Sequence, residues 1–209
     1  MEHSSRRITN THCSGLTDGE SLNIRVADAR ELAESLRKRM LIYREMLGHH
    51  GVDEYDRTSL HIVALRGGLL VAALRLVGPT PLTVELSRFI NLERSPFDSA
   101  RLMQIGGFWA EGPMRRVTRD NTLTVKRLFQ KSVELASRFG CGGIIMRTVP
   151  RLRPWYSGFG FKVLPNLNYW DPHWGHVVTM YLRIEHFAQG APFASRDSWQ
   201  GPLLGTFCR

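Results

Sequence analysis

The chain has 209 residues with 43% hydrophobic and 22% charged side chains, a composition that is typical of a folded domain and excludes a disordered chain. Its 28 basic and 19 acidic residues give a formal net charge of +9, which favours acidic partners. Three cysteines without close spacing predict neither a disulfide framework nor a zinc site, and they favour a reducing, cytoplasmic location.

The first predicted elements follow a polar N-terminal tail, residues 1–21. Residues 22–27 have the composition of a strand, and Asp28 with Glu31 matches a capping box that begins a helix. We expect this helix to run to about Leu47, because apolar side chains recur along it at steps of three or four residues.

Three further elements are predicted in the middle of the chain. Residues 59–78 contain two β-rich runs around a tight glycine turn, which indicates an antiparallel hairpin. Residues 101–110 form another predicted strand. Residues 123–140 have the apolar period of an amphipathic helix, with Asn121 or Thr122 as its N-cap.

The last predicted elements are a buried strand at residues 142–149, a short helix at residues 151–157 and two closing strands. This order predicts an α+β fold, in which helices flank a mixed sheet whose two central strands splay apart. We expect a single domain over residues 22–187. Glycine and proline interrupt the remaining segment, residues 188–209, which is predicted to be a C-terminal tail.

A basic segment precedes the second long helix and contains Arg115, Arg116 and Arg119. A helix N-terminus presents unpaired N–H groups and the positive end of the helix dipole. We therefore predict a phosphate site formed by these arginines with Asn121 and Thr122. A solvated basic loop without a ligand is the alternative.

Near the C-terminal end of the predicted domain, residues 156–161, YSGFGF, match a Tyr-x-x-x-Gly-Phe pattern. In this the chain resembles the GNAT acyltransferase superfamily, and within it the acyl-homoserine lactone (autoinducer) synthases and the N-acyl amino acid synthases. The resemblance implies a GNAT-like, mostly antiparallel sheet and a thioester as acyl donor. It also implies that Tyr156 lies near the thioester sulfur and returns a proton to the departing thiolate.

A second motif lies in the N-terminal half, where residues 39–48, RMLIYREMLG, and residues 53–56, DEYD, look like patterns of the autoinducer synthases. Gly51 occupies the position of that family's first motif acid, which argues against a homoserine-lactone product. The resemblance implies that a set of residues shapes the acceptor site and the lip over the acyl donor. These residues are Arg39, Tyr43, Asp53, Asp56 and Arg75.

The family's Glu-x-Ser-Arg-Phe strand can be placed in two registers. Residues 84–89, VELSRF, reproduce its letters, whereas residues 104–108, QIGGF, match its distance from the long helix. We favour the second register. It places Gln104 where the family has its glutamate, so that Glu85 or a water molecule has to serve as the catalytic base.

Gly106 and Gly107 are unusual inside a strand and predict a bulge there. A bulge would turn a backbone N–H toward the thioester carbonyl and leave room for a pantetheine arm beside Phe108, although a mere packing kink is equally compatible with the pattern. An apolar acyl chain also needs a lined tunnel. The aromatic side chains predicted to line it are Phe108, Trp109, Trp155, Phe159 and Tyr169.

Together these patterns predict an N-acyltransferase that moves a fatty acyl group from an acyl carrier protein or CoA to the amine of an amino acid, a derivative or a peptide. The net charge of +9 favours an acidic carrier protein as partner. The alternatives are an acetyl-CoA-dependent N-acetyltransferase and a basic nucleic-acid-binding module. We expect no metal and no membrane span, because no stretch approaches about 18 apolar residues.

Overall fold

The computed structural model describes residues 21–79, 85–94, 98–112, 119–172 and 174–185, with six side chains excepted: those of Met46, Leu47, Glu85, Ser99, Arg119 and Asp120. Within these ranges the chain order of strands and α-helices is β1 (Leu22–Val26), α1 (Ala29–Leu47), β2 (Leu60–Arg66), β3 (Leu69–Val77), β4 (Leu102–Ala110), α2 (Arg119–Arg138), β5 (Gly143–Thr148), α3 (Arg153–Ser157), β6 (Lys162–Val163), β7 (Tyr169–Asp171) and β8 (Gly175–Arg183). The predicted tails, residues 1–21 and 188–209, lie almost entirely outside the described residues.

The strands form an open mixed sheet in the order β1-β2-β3-β4-β5-β8-β6, and β7 pairs with β8 alone. The β4–β5 pair is parallel, and the other described pairs are antiparallel. The predicted α+β class with a mostly antiparallel sheet is therefore confirmed. A parallel pair needs a crossover connection, and α2 supplies it between β4 and β5.

Capping and turn residues define the N-terminal half as the sequence predicts. Asp28 accepts the N–H of Glu31 at 2.9 Å, and Glu31 accepts the N–H of Asp28 at 3.1 Å, which is the reciprocal capping box at the start of α1. Gly48 ends the helix in the left-handed region at φ 72°. The β2–β3 turn likewise uses positive φ, 56° at Gly67 and 80° at Gly68.

Helices cover both faces of the sheet. The predicted apolar side of α2, which includes Val125 and Phe129, packs into the main core with α3 and with side chains of β2 to β5. On the opposite face, α1 covers a smaller cluster around Trp109 and Val63. Within the described residues, no helix has both the length and the hydrophobicity required to cross a bilayer.

Three details differ from the sequence prediction. α2 begins at Arg119, so Asn121 and Thr122 lie inside its first turn rather than at its N-cap, because the apolar period that marks the helix starts a turn later than the helix itself. Residues Glu85–Arg88 form a 3-10 turn and not a strand, so the second register is correct and residues 104–108 lie on β4. The short strand β7 was not predicted.

Candidate active site

A cavity of about 500 Å³ opens where β4 and β5 diverge. The two strands pair from Leu102 with Gly143 to Ile105 with Met146, and their pairing ends there. Beyond this point the residues of both strands line the cavity, together with residues of α1, the α1–β2 connection, the 3-10 turn before α3, α3 itself and the β7–β8 turn. The predicted splay of the central strands thus produces a pocket of the size of small-molecule sites.

The predicted bulge is present on β4. Ala73 of β3 pairs with Trp109, and Arg75 pairs with Gly106, so two steps along β3 correspond to three along β4. Gly107 has a φ of 55°, a conformation that L residues with a side chain rarely adopt. A Cβ at Gly107 would also overlap Nη1 of Arg39 and lie 3.0 Å from its Cζ. The glycine is therefore required both by backbone conformation and by the close approach of a buried arginine.

Tyr156 lies on the cavity wall and is otherwise buried. Its ring packs edge-on against Trp155 and Phe129, with centroids 4.8 and 6.0 Å away. Its hydroxyl makes no hydrogen bond to another described residue. Burial, with a smaller contribution from Tyr43, raises the pKa of Tyr156 well above its usual range, so the hydroxyl is protonated at neutral pH. A protonated hydroxyl at the wall can donate a hydrogen bond or a proton to a ligand.

Behind the bulge, two arginines and two aspartates form a largely buried ion network. Arg75 donates to both carboxylate oxygens of Asp53, at 2.5 and 2.7 Å, and its Nη1 lies 3.0 Å from Oδ1 of Asp56. Asp56 also pairs with Nη2 of Arg39. Four of the five residues predicted to shape the acceptor site, Arg39, Asp53, Asp56 and Arg75, are thus brought together. The network ties α1, β3 and the 3-10 turn Glu54–Arg57 to one another.

Two titrating groups in this network have shifted pKa values. Burial opposes the ionisation of Asp56, but the hydrogen bond and charge of Arg39, the N–H of Asp53 and the charge of Arg75 outweigh it and lower its pKa. Burial also lowers the pKa of His61, so this side chain is neutral. Nε2 of His61 lies 3.0 Å from the carbonyl oxygen of Asp56, to which a neutral imidazole donates.

The α1–β2 connection forms a second wall of the cavity. Here the rings of Tyr43 and His49 contact Trp174 of the β7–β8 turn. The hydroxyl of Tyr43 donates to the carbonyl of Phe108 at 2.9 Å, which links α1 to β4 just beyond the bulge. The Tyr43 ring contacts His49 and Trp174 edge-on. A Cβ at Gly51 would overlap the Tyr43 ring, which explains why an acid cannot occupy that position here.

His49 and Trp174 were not predicted as wall residues. Neither belongs to a recognisable motif, and their proximity depends on the contact between two turns that are distant in the chain. The one local signal is Gly51, whose φ of 64° and contact with Tyr43 mark a tight turn next to His49. Its N–H donates to Nδ1 of His49 at 3.0 Å.

Several predicted site residues do not form the described cavity wall. Gln104 is fully buried, and its Oε1 accepts the N–H of Leu86 at 2.8 Å, so it supports the 3-10 turn instead of facing a ligand. Trp109 is an exception because it contributes to the wall, and its indole N–H donates to the hydroxyl of Ser35 on α1. Trp155 and Phe159 belong to the core, and Tyr169 stacks on Phe89. None of these three aromatic residues lines the described cavity.

Part of the predicted phosphate site and the side chain of the predicted base lie outside the described residues. Arg115 and Arg116 lie outside the described residues, as do the side chains of Arg119 and Glu85. Asn121 is buried and Thr122 half-buried in the first turn of α2. Among the described side chains, no group of three or more His, Cys, Asp or Glu residues has a metal-binding arrangement.

Comparison with solved structures identifies the fold. FeeM, an N-acyl amino acid synthase from uncultured soil microbes, superposes with a TM-score of 0.64 over 81% of this chain and 94% of its own, at 12% sequence identity. The chain has the GNAT fold. The acyl-homoserine lactone synthase LasI matches this GNAT fold with a TM-score of 0.60 over 79% of this chain and 91% of its own, at 11% identity.

A third GNAT structure, an acyl-CoA N-acyltransferase from Pseudomonas aeruginosa, matches with a TM-score of 0.55 over 78% of this chain and 99% of its own, at 17% identity. No protein-family model and no curated protein sequence matches the chain. The resemblance inferred from the motifs is thus confirmed for the fold, whereas the roles of individual residues stay predictions.

Proposed function

We propose that this GNAT-fold chain is an N-acyltransferase that transfers a fatty acyl group from an acyl carrier protein or CoA thioester to the amine of an amino acid, a derivative or a peptide. The observation that carries the proposal is the cavity at the β4–β5 splay, whose wall contains both the Gly106–Gly107 bulge and Tyr156. Acyl transfer needs both features: a donor for the developing oxyanion and an acid for the leaving thiolate.

The walls of the cavity support an acyl chain longer than acetyl. Apolar side chains of β4, β5 and the segment before α3 line it, and a volume of about 500 Å³ exceeds the need of a two-carbon group. These side chains are Ile105, Phe108, Met146, Val149 and Leu152. Removing such a chain from water is favourable by about 0.8 kcal/mol for each methylene, so a cavity of this kind selects acyl groups by length.

In the proposed reaction, the neutral amine attacks the thioester carbonyl carbon and the carbonyl π electrons move to oxygen. A backbone N–H of the Gly106–Gly107 bulge stabilises this oxyanion. When the carbon–sulfur bond breaks, its electron pair goes to sulfur, and the hydroxyl of Tyr156 donates its proton to the resulting thiolate. Burial raises the pKa of Tyr156, so full proton transfer requires a thiolate whose basicity is also raised by the apolar surroundings.

The proton released by the amine requires a base, and we propose Glu85 or a water molecule for that role. For the donor, we propose that Arg115, Arg116, Arg119, Asn121 and Thr122 bind the phosphate of phosphopantetheine at the start of α2. This assignment rests on the sequence pattern and on the helix that begins at Arg119. The net charge of +9 supports an acidic carrier protein as the source of the donor.

A donor series tests the proposal. The purified protein is incubated with octanoyl and dodecanoyl carrier protein, the corresponding CoA thioesters and acetyl-CoA, each with a pool of amines. Thiol release is followed with a thiol reagent, and mass spectrometry identifies the acylated amine. We expect release with the long-chain donors. Faster turnover of acetyl-CoA would support the acetyltransferase alternative, and no release from any donor would refute acyl transfer.

A further inference from the structure

The bulge of β4 receives little support from the sheet around it. In the described sheet, Gly107 and Phe108 have no paired residue on β3. The pairing of β4 with β5 ends at Ile105, before the bulge begins. A glycine adds little stiffness of its own, because its backbone has the widest conformational freedom. The ladder of hydrogen bonds that fixes the rest of β4 therefore does not extend to the bulged peptides.

Helix α1 supplies two contacts at the bulge. The hydroxyl of Tyr43 donates to the carbonyl oxygen of Phe108 at 2.9 Å. The guanidinium of Arg39 lies so close to Gly107 that a Cβ there would overlap its Nη1. Arg39 and Tyr43 are four residues apart on α1, so they extend from the same face of the helix. One helix face therefore contacts both bulged residues.

Both of these side chains are themselves held in place. Arg39 is only 1% exposed and pairs with Asp56. The ring of Tyr43 packs edge-on against His49 and Trp174, with centroids 5.5 and 6.4 Å away. A side chain with fixed neighbours can fix the backbone that it touches in turn.

A donor for an oxyanion has to be held within about 0.5 Å of its productive position. We propose that Arg39 and Tyr43 are positioning residues, which orient the bulged peptides of β4 so that a backbone N–H meets the thioester oxygen. They act through the backbone of the bulge and not by binding a substrate, a role that differs from the acceptor-site role implied by the family resemblance. The inference rests on the proposed acyltransferase function and adds to it what holds the oxyanion donor in place.

Tyr43→Phe removes the hydroxyl and keeps the ring, so it tests the inference with the smallest change. The wild type and the variant are compared with dodecanoyl carrier protein as donor and a pool of amines as acceptors. We expect kcat to fall about 10- to 100-fold, since a small misplacement of a catalytic group has an effect of this order. KM for the donor should stay near its wild-type value, because the lost interaction acts in the transition state.

A spectroscopic measurement separates positioning from a purely structural role. Dodecanoyl-CoA with an isotopic label at its thioester carbonyl is bound without an acceptor, and the carbonyl stretch is recorded by difference infrared spectroscopy. A hydrogen bond from the bulge polarises this carbonyl and lowers its stretching frequency. In Tyr43→Phe the band should move back toward that of free dodecanoyl-CoA.

Tyr181→Phe is the matched control, because Tyr181 lies on β8 and does not line the described cavity. Its kcat and its carbonyl band should equal those of the wild type. Ser35→Ala removes the hydrogen bond between α1 and the indole of Trp109, which involves no backbone atom of β4. This variant should have a lower melting temperature and a wild-type kcat. Circular dichroism and thermal melting check that each variant is folded.

Arg39→Lys keeps the positive charge but loses the planar guanidinium that lies against Gly107. It should lower kcat and shift the carbonyl band in the same direction as Tyr43→Phe. If Arg39→Lys fails to fold, Tyr43→Phe alone decides the question.

The inference is overturned if Tyr43→Phe keeps the wild-type kcat, if only its KM changes, or if the carbonyl band does not move. If the wild type acylates no amine from any donor, the proposed acyltransferase function itself fails and the inference fails with it. The two results are distinct, because the wild type is active in the first case and inactive in the second.

Discussion

Gly107→Ala is the substitution for which the structure makes the most demanding prediction. At this position φ is 55°, and a Cβ would overlap Nη1 of Arg39. The left-handed conformation costs a residue with a Cβ about 1–2 kcal/mol. Relief of the overlap requires Arg39 to move away from Asp56, its buried ion-pair partner. Breaking a buried pair costs about 3–5 kcal/mol.

Because Arg39 can relax in part, these contributions are not fully additive, and we expect Gly107→Ala to lower the free energy of unfolding by about 3–6 kcal/mol. A domain of this kind has about 5–15 kcal/mol in total, so the variant should be marginally stable. The distorted bulge should also abolish acyl transfer. Urea titration followed by circular dichroism gives the stability, and thiol release gives the activity.

Two other glycines separate the contributions. Gly48 has a φ of 72° with no atom within 4 Å of a Cβ, so Gly48→Ala measures the left-handed backbone alone, about 1–2 kcal/mol. Gly106 has no positive φ, and its Cβ would lie 3.4 Å from Nε of Arg75, so Gly106→Ala should change stability by less than about 1 kcal/mol. If Gly107→Ala is no less stable than Gly48→Ala, the proposed contact with Arg39 is wrong.

Three more substitutions test the site. Tyr156→Phe should lower kcat about 100-fold with unchanged thermal stability, because the Tyr156 hydroxyl has no described protein partner. An unchanged rate in stopped assays would rule out Tyr156 as the proton donor to the thiolate. Asp56→Asn should destabilise by about 3–5 kcal/mol at pH 7. Because the pKa of Asp56 is lowered in the folded state, its carboxylate adds stability above its unfolded pKa of about 3.9, and this stability is lost as pH falls through the folded pKa. Urea titrations should therefore show the stability difference between the wild type and Asp56→Asn shrinking below about pH 4. Because the pKa of His61 is lowered in the folded state, the wild-type protein should lose stability as pH falls below about 6.5. His61→Gln removes this titrating group, so the variant should lose less stability than the wild type over the same pH range. Parallel acid slopes in melting curves would contradict this.

Much of the fold was predictable because its signals are local. The capping box of Asp28 and Glu31, the glycine turn between β2 and β3 and the apolar side of α2 each depend on residues a few positions apart. The start of α2 was misplaced because its first turn lacks the apolar period. The 84–89 segment was ambiguous because its letters match a strand motif, whereas the pairing of residues 102–110 with β3 and β5 decides which segment enters the sheet.

The candidate site was only partly predictable, and the reason is the range of the interactions that build it. The N-terminal charged residues, the glycine pair on β4 and Tyr156 could be predicted from the sequence, since each belongs to a short pattern. Three contacts emerge only in the folded chain: Arg39 lies against Gly107, His49 and Trp174 meet at the cavity wall, and Gln104 accepts the N–H of Leu86. Those contacts join segments far apart in the chain, and their geometry follows from how helices and turns pack on a splayed sheet rather than from local sequence preferences.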